Sequence, residues 1–236
     1  MAALVWDATG SRRFETGVDH GVLYVMKDNA GTLTDGITHY ETGVVWNGLT
    51  GVTSSPDGAE PTDLWADNIK YATLRSAETY GATIEAYTYP DEWAVCDGSA
   101  VYTTGVYVGQ QGRKAFGFCY RTLIGTDTDP DVGDNDYNYL IHIIYNATAS
   151  PSERSYETVN DSPDAITFSW EITTTPVNVN VSGTSYKPTS EIVIDMSKLA
   201  SAKRTALLNK LYGSSSTSAE LPEPSALLSL INSAST

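Results

Sequence analysis

From Ala165 to Thr173 apolar and polar side chains alternate without a break: Ile166, Phe168, Trp170 and Ile172 fall on one side, Thr167, Ser169, Glu171 and Thr173 on the other. Successive side chains of an extended strand point to opposite faces, so this run predicts a strand buried on one face only. Runs rich in β-branched and aromatic residues predict further strands over 21–26, 81–89, 114–124, 137–145 and 191–195. The stretch 137–145 is apolar on both faces toward its end, at Leu140, Ile141, Ile143 and Ile144, which predicts a central strand between two layers. Pro and Gly clusters at Ser55-Pro56-Asp57-Gly58, Tyr89-Pro90-Asp91 and Asp161-Ser162-Pro163-Asp164 supply the turns between them.

Two segments read as helical. Residues 61–69 could begin a short helix with Thr62 or Asp63 as its cap. Residues 197–212 are better marked, with Ser197 as cap, a stripe of Leu199, Ala202, Ala206, Leu207 and Leu211, and Gly213 as the stop. Ser214-Ser-Ser-Thr-Ser218 has linker composition, and the apolar island 221–231 after it is too short to fold alone, so it is expected to be a docking tail or disordered. The expected organisation is therefore a mainly β domain over 1–213, with 1–16 as an N-terminal arm, followed by a flexible linker and short apolar tail over 214–236.

Composition narrows the function. With 236 residues, 41% of them hydrophobic, the chain is long enough for a single large core and too apolar and aromatic for a disordered acidic tail. Its 29 acidic and 14 basic side chains give a net charge of −15, which argues against a protein that grips nucleic acid, because such binding neutralises phosphates with Lys and Arg clusters. Most of the excess is local: 125–196 holds twelve acidic residues against Arg154 and Lys187, whereas the following helix carries only cations, Lys198, Lys203, Arg204 and Lys210. Opposite charges so placed could guide neighbouring subunits into register, or could simply pair within one subunit. The apolar runs are far shorter than the roughly 20 residues of a membrane-spanning helix, and the N-terminus has neither the basic start nor the apolar stretch of a secretory signal. Cys96 and Cys119 form neither a disulfide framework nor a zinc pattern and are expected to be reduced and half-buried.

Candidate chemistry is sparse. The alternating carboxylates Asp127, Asp129 and Asp131 resemble the start of a calcium loop, but Pro130 interrupts it, Gly133 stands at position seven where position six needs it, and Asn138 occupies position twelve where a bidentate Glu belongs. A solvated hairpin tip explains the same residues. His20, His39 and His142 share no metal-ligand spacing. No G-x-S-x-G, phosphate-binding loop or dinucleotide fingerprint occurs. Glu85, Glu92 and Glu171 could supply the carboxylate pair of a glycosidase, as could the acids of any acidic β-protein. No catalytic residue, cofactor or firm metal site is assigned, and the chain is expected not to be an enzyme. The aromatic strands could form a sugar-stacking face, although period-two aromatics more simply fill a sandwich core.

Several segments, taken in order, resemble the major tail tube proteins of long-tailed phages: Gly17-Val-Asp-His-Gly-Val-Leu-Tyr24, Val45-Trp-Asn-Gly-Leu-Thr50, Asp67-Asn-Ile-Lys-Tyr71, Ala82 through Trp93, Arg113 through Arg121, and Ala147 through Tyr156 followed by Asn160 through Trp170. The resemblance runs from about Thr9 to Gly213, with 33–41 as extra loop length and 214–236 without counterpart. It implies a tail-tube-type β-sandwich or barrel with one or two flanking α-helices and extended loops, and hexameric rings that stack into a tube. Genomic DNA would pass through that tube without specific binding. The implied partners are further copies of the chain, a tape-measure protein, a tail terminator and distal tail proteins, with assembly in the host cytoplasm and no membrane insertion. A lumen wall that does not hold DNA would carry carboxylates, since like charges repel over about 8 Å at physiological salt. Glu85 and Glu171 interrupt otherwise neutral or apolar strand faces and are the candidates for that wall, the rival placement being the outer, solvated face. The competing class is a monomeric β-sandwich that binds carbohydrate or a cell surface, such as a decoration protein.

Overall fold

A computed structural model describes residues 4–27, 39–58, 60–76, 78–128, 137–156, 158, 165–181 and 183–233. The strands in chain order are β1 (Arg13–Val25), β2 (Val44–Trp46), β3 (Leu49–Ser54), β4 (Asp57–Gly58), β5 (Pro61–Ala66), β6 (Ile69–Arg75), β7 (Glu78–Thr79), β8 (Gly81–Ala86), β9 (Ala100–Thr103), β10 (Val106–Val108), β11 (Phe116–Thr126), β12 (Tyr139–Ala149), β13 (Phe168–Thr174), β14 (Val177–Val181), β15 (Thr184–Thr189) and β16 (Glu191–Asp195). Two helices follow, α1 (Ser201–Leu211) and α2 (Pro224–Ser233). The mainly β architecture with flanking helices expected from the sequence is the one the molecule has.

One antiparallel sheet runs β2-β1-β11-β12-β13-β8-β3, and β16 joins it on β12. Its two end strands are neighbours in sequence, separated only by Asn47 and Gly48, so the sheet curls until its ends meet at that connection. Gly48 takes φ +76, the left-handed conformation that favours glycine. The curl is not a closed barrel: β3 pairs with β8 and β2 with β1, but not with each other.

The layering originates in β12. Its first half, Leu140–Ile144, pairs with β16, whereas Ala147–Ala149 pairs with β13. The switch falls at Asn146, whose φ is +48. Three contacts hold this bulge: Asn146 N–H donates to the Tyr40 hydroxyl at 3.1 Å, its Nδ2 donates to Thr175 O at 3.2 Å, and Thr175 N–H returns a bond to Asn146 O at 3.1 Å. A bulge bends and twists its strand, here parting one sheet edge into two.

The curl encloses a first core of Trp46, Trp93, Trp170, Phe116, Phe118, Ile84 and Ile144 with their neighbours. Trp46 lies 4.7 Å from Trp93 and 5.5 Å from Trp170, ring centre to ring centre, and Trp93 meets Trp170 at 5.4 Å and 72°. Tilted and edge-on contacts of this kind are favoured by the ring quadrupoles. On the opposite face of β1, β11 and β12 a second core forms from Tyr24, Cys119, Ile141, Ile143 and Tyr145, covered by Leu207, Leu211, Leu221 and Leu227. The central position expected for 137–145 is observed, because Ile143 faces one core and Ile144 the other.

Three local expectations differ from what the molecule does. Residues 61–69 are not helical: Pro61–Ala66 and Ile69–Arg75 form an antiparallel hairpin. Asp67 and Asn68, with φ +50 and +62, make its two-residue turn, and paired positive φ values are the requirement of the type I′ hairpin turn that Asp and Asn tolerate. The helix expected over 197–212 starts later. Asp195 accepts the Ser197 N–H in a preceding 3-10 turn, and α1 opens at Ser201 with no side-chain cap. Cys96 and Cys119 are free, as expected, but fully buried, and burial pushes both thiols up to about 12.

Residues 214–233 fold against their own subunit. Gly213 ends α1 at φ +79, Glu220 N–H bonds Lys210 O, and Gly43 N–H bonds Ala219 O. Leu221 and Leu227 become fully buried in the second core. The approach is close, since a Cβ placed on Gly117 would stand 2.2 Å from Leu221 Cδ2.

Arg13 at the start of β1 is tied to Asp195 at 3.2 Å, and Lys198 reaches the same carboxylate at 3.1 Å. Burial pushes the Asp195 carboxyl up, but hydrogen bonds from Ser197, Lys198 and Arg13 outweigh it and hold the group at about 2, below its ordinary 3.8. A carboxylate with a depressed folded pKa stabilises the fold above its unfolded pKa and ceases to do so as pH falls through the folded one. Chemical denaturation at a series of pH values should therefore show stability falling between about pH 4 and pH 2, and D195N should be weaker at neutral pH with a flatter profile across that window.

Candidate functional site

The outer surface carries two features that the core does not explain. The first is a pair of apolar hairpins. Every residue of β5 is exposed and only Ala72 of β6 is partly covered. Leu64, Trp65, Ile69, Tyr71 and Leu74 stand in solvent, Trp65 at 68% and Tyr71 at 74%. The β9–β10 hairpin, turned at Gly105 with φ +81, likewise exposes Val101, Tyr102, Val106, Tyr107 and Val108. Exposed apolar side chains concentrated on two hairpins make these hairpins the candidate contact surface. In the N-terminal arm, Leu4, Val5 and Trp6 are exposed as well. Strand β1 begins at Arg13, within the 1–16 stretch expected to form the arm.

The second feature is a polar sheet face. Glu85 on β8 lies opposite Ser169, and Glu171 on β13 opposite Thr83. Both acids are exposed, together with Ser169, Thr173 and Thr53, while the alternate residues Ile84, Trp170 and Ile172 fill the core. Strands β3, β8 and β13 contain no Lys or Arg, so the two carboxylates are the only charged side chains these strands carry. The structure thus brings Glu85 and Glu171 onto one surface and leaves Glu92 on a separate 3-10 turn at Asp91–Val95.

The remaining candidates are scattered. Asp127 is exposed and accepts a hydrogen bond from Gly10 N–H at 2.9 Å, while Asp129 and Asp131 lie outside the described residues. His20 pairs with Asp19 at 3.1 Å, His39 is buried, and His142 stacks on Tyr120 with ring centres 4.7 Å apart. Among the described residues no group of three or more His, Cys, Asp or Glu is placed to hold a metal ion, and no helix there is long and apolar enough to cross a membrane. The basic helix spends much of its charge internally: Lys198 pairs with Asp195, Lys210 with Glu220, and Arg204 donates to Leu199 O at 2.6 Å while lying over the Tyr137 ring.

Sequence reasoning missed the β5–β6 hairpin because Thr62 or Asp63 as a cap suggested the start of a helix. Asp67-Asn68 between two β-rich runs was the signal that could have found it.

Fold and surface together define a mainly β protein with outward apolar hairpins and two acids on one sheet face. No protein-family model and no curated protein matches the chain. Among solved structures it is similar to a chain of the SPP1 tail tube, at 14% identity and a TM-score of 0.34, over 66% of this chain and 72% of that one. It is also similar to a chain of the anti-feeding prophage baseplate, at 7% identity and a TM-score of 0.37, over 77% of this chain and 95% of that one.

Proposed function

We propose that this chain is a structural virion protein, the major subunit of a phage tail tube, whose hexameric rings stack into the conduit for genomic DNA. The observation that carries the reading is the β5–β6 hairpin, which holds Leu64, Trp65, Ile69, Tyr71 and Leu74 in water. Burying each such side chain against a neighbour is worth about 1.5–3 kcal/mol, so the hairpins favour assembly over a solitary existence. The ordered segments that resemble tail tube proteins support the same conclusion. In this reading Glu85 and Glu171 face the lumen, where carboxylates repel phosphate and let DNA slide past unheld. The tape-measure, terminator and distal tail proteins are the further partners, and assembly takes place in the host cytoplasm.

Negative-stain micrographs of the purified protein should show rings or tubes, and W65S combined with Y71S should abolish them while leaving the melting temperature within a few degrees. A monodisperse 25.4 kDa monomer at high concentration overturns the proposal, and a ring with a neutral or basic lumen overturns the role of Glu85 and Glu171. The exposed rings of Trp65, Tyr71, Tyr102 and Tyr107 favour one other reading, a monomeric β-sandwich that stacks sugars. It requires that stable monomer to bind glycans.

A further inference from the structure

Where the β13–β14 connection, the entry to β8 and the β15–β16 corner meet, a cavity of about 240 Å³ is lined by Glu78, Tyr80, Pro176, Pro188, Ser190 and Glu191. It contains two carboxylates and no cation. Ser190 is only 4% exposed, yet its Oγ has no hydrogen-bond partner among the described residues. Native proteins rarely leave a buried hydroxyl so, and it offers two acceptor lone pairs to whatever enters. The inner acid is positioned by its surroundings: Glu191 Oε1 lies 3.5 Å from His142 Nδ1, and His142 Nε2 is 3.1 Å from the Thr122 hydroxyl. Tyr80, whose hydroxyl is 3.1 Å from Ser54 Oγ, forms one wall.

We propose that this cavity binds an alkylguanidinium or alkylammonium group, the head of an arginine or lysine side chain or of a small polyamine. A guanidinium presents several N–H donors and no acceptor, which suits a cavity whose charged groups are the Glu78 and Glu191 carboxylates and whose other polar side chains are the hydroxyls of Ser190, Thr189 and Tyr80. Charge-assisted bonds to carboxylates are about twice as strong as neutral ones. Pro176 and Pro188 supply apolar walls for the methylene stem that accompanies such a head group. A metal ion fits less well, because two carboxylates are the only charged ligands here and no larger cluster of ligating side chains occurs among the described residues. A basic side chain could come from a second copy of this chain, since Arg75, Lys187 and Lys203 form no ion pair among the described residues. The proposal holds whether or not the chain builds a tube.

Calorimetric titration of the full chain with N-ethylguanidinium tests it, with the neutral isostere N-ethylurea as control. Saturable one-to-one binding of the cation is expected, with no heat from the urea and about a tenfold weaker affinity in E78Q and in E191Q. Glu78 is exposed, so E78Q keeps the fold, and the melting temperature of E191Q checks the other variant. No saturable heat, equal binding of N-ethylurea, or undiminished binding in both variants overturns the proposal. Sedimentation in the same titration identifies the source. Dissociation of multimers as the site fills points to a side chain of a second copy, whereas unchanged sedimentation with competition by spermidine points to a free cation.

Discussion

A chain that ends at Gly213 is expected to lose most of its native stability. The deletion removes Leu221 and Leu227, both fully buried against Tyr24, Cys119, Leu207 and Leu211. Removing a buried leucine side chain to alanine costs about 2–5 kcal/mol, and deletion leaves a larger void than truncation. Two such losses together approach the whole stability of an ordinary domain, about 5–15 kcal/mol. The deletion also breaks the bonds from Glu220 N–H to Lys210 O and from Gly43 N–H to Ala219 O. Urea unfolding should give a truncated protein that is aggregated or largely unfolded without denaturant, and L221A with L227A in the full chain should be intermediate. A truncated protein that melts within a few degrees of the parent would show that the C-terminal segment contributes nothing to the second core. The consequence for assembly is direct, because loss of tubes on truncation would report on the fold before it reported on contacts between subunits.

Trp170→Ala should cost about 3–5 kcal/mol, the range for removing a large aromatic from a packed interior. Trp170 is 1% exposed and packs edge-on against Trp46 and Trp93 and against the Tyr89 ring at 5.6 Å. The void would open at the centre of the curl, where β2, β13 and the Asp91–Val95 turn meet, so little backbone can move to fill it. On the opposite face of the same strand, S169A and E171A should change stability by no more than about 0.5 kcal/mol, as surface substitutions usually do. Denaturant midpoints of the three variants check the contrast. A small effect of W170A, or a large one of E171A, would mean that β13 is turned over.

Glu171 then separates stability from function. If its carboxylate lines a channel, E171K should leave the fold intact and alter the passage of DNA, which an effect on stability alone would not do.

The alternation at 165–173 told which side of β13 would be buried, because a strand has a period of two and one face must leave water. The doubly apolar stretch at Leu140, Ile141, Ile143 and Ile144 told that its strand would be central, for the same reason applied to two faces. The candidate surface was half legible: Glu85 and Glu171 stood out as charges interrupting neutral faces, but not that they share one sheet. That depends on β8 pairing with β13 across more than eighty intervening residues, a register no local pattern specifies.

What the amino-acid sequence by itself determined is the class: an acidic, mainly β chain with its strands, turns and late helix roughly placed. Local periodicity and turn chemistry act over a few residues and survive any arrangement of the whole. What only the tertiary structure decided is which surfaces face inward. The hairpin at 61–75 leaves its apolar residues in water, an outcome that their hydrophobicity alone does not reveal. The apolar tail was expected to dock or remain disordered because its core lies on strands distant in sequence. Burial of an apolar residue is a property of where the chain brings its neighbours, and that is settled by long-range pairing, here the switch of β12 at Asn146 from one partner strand to another.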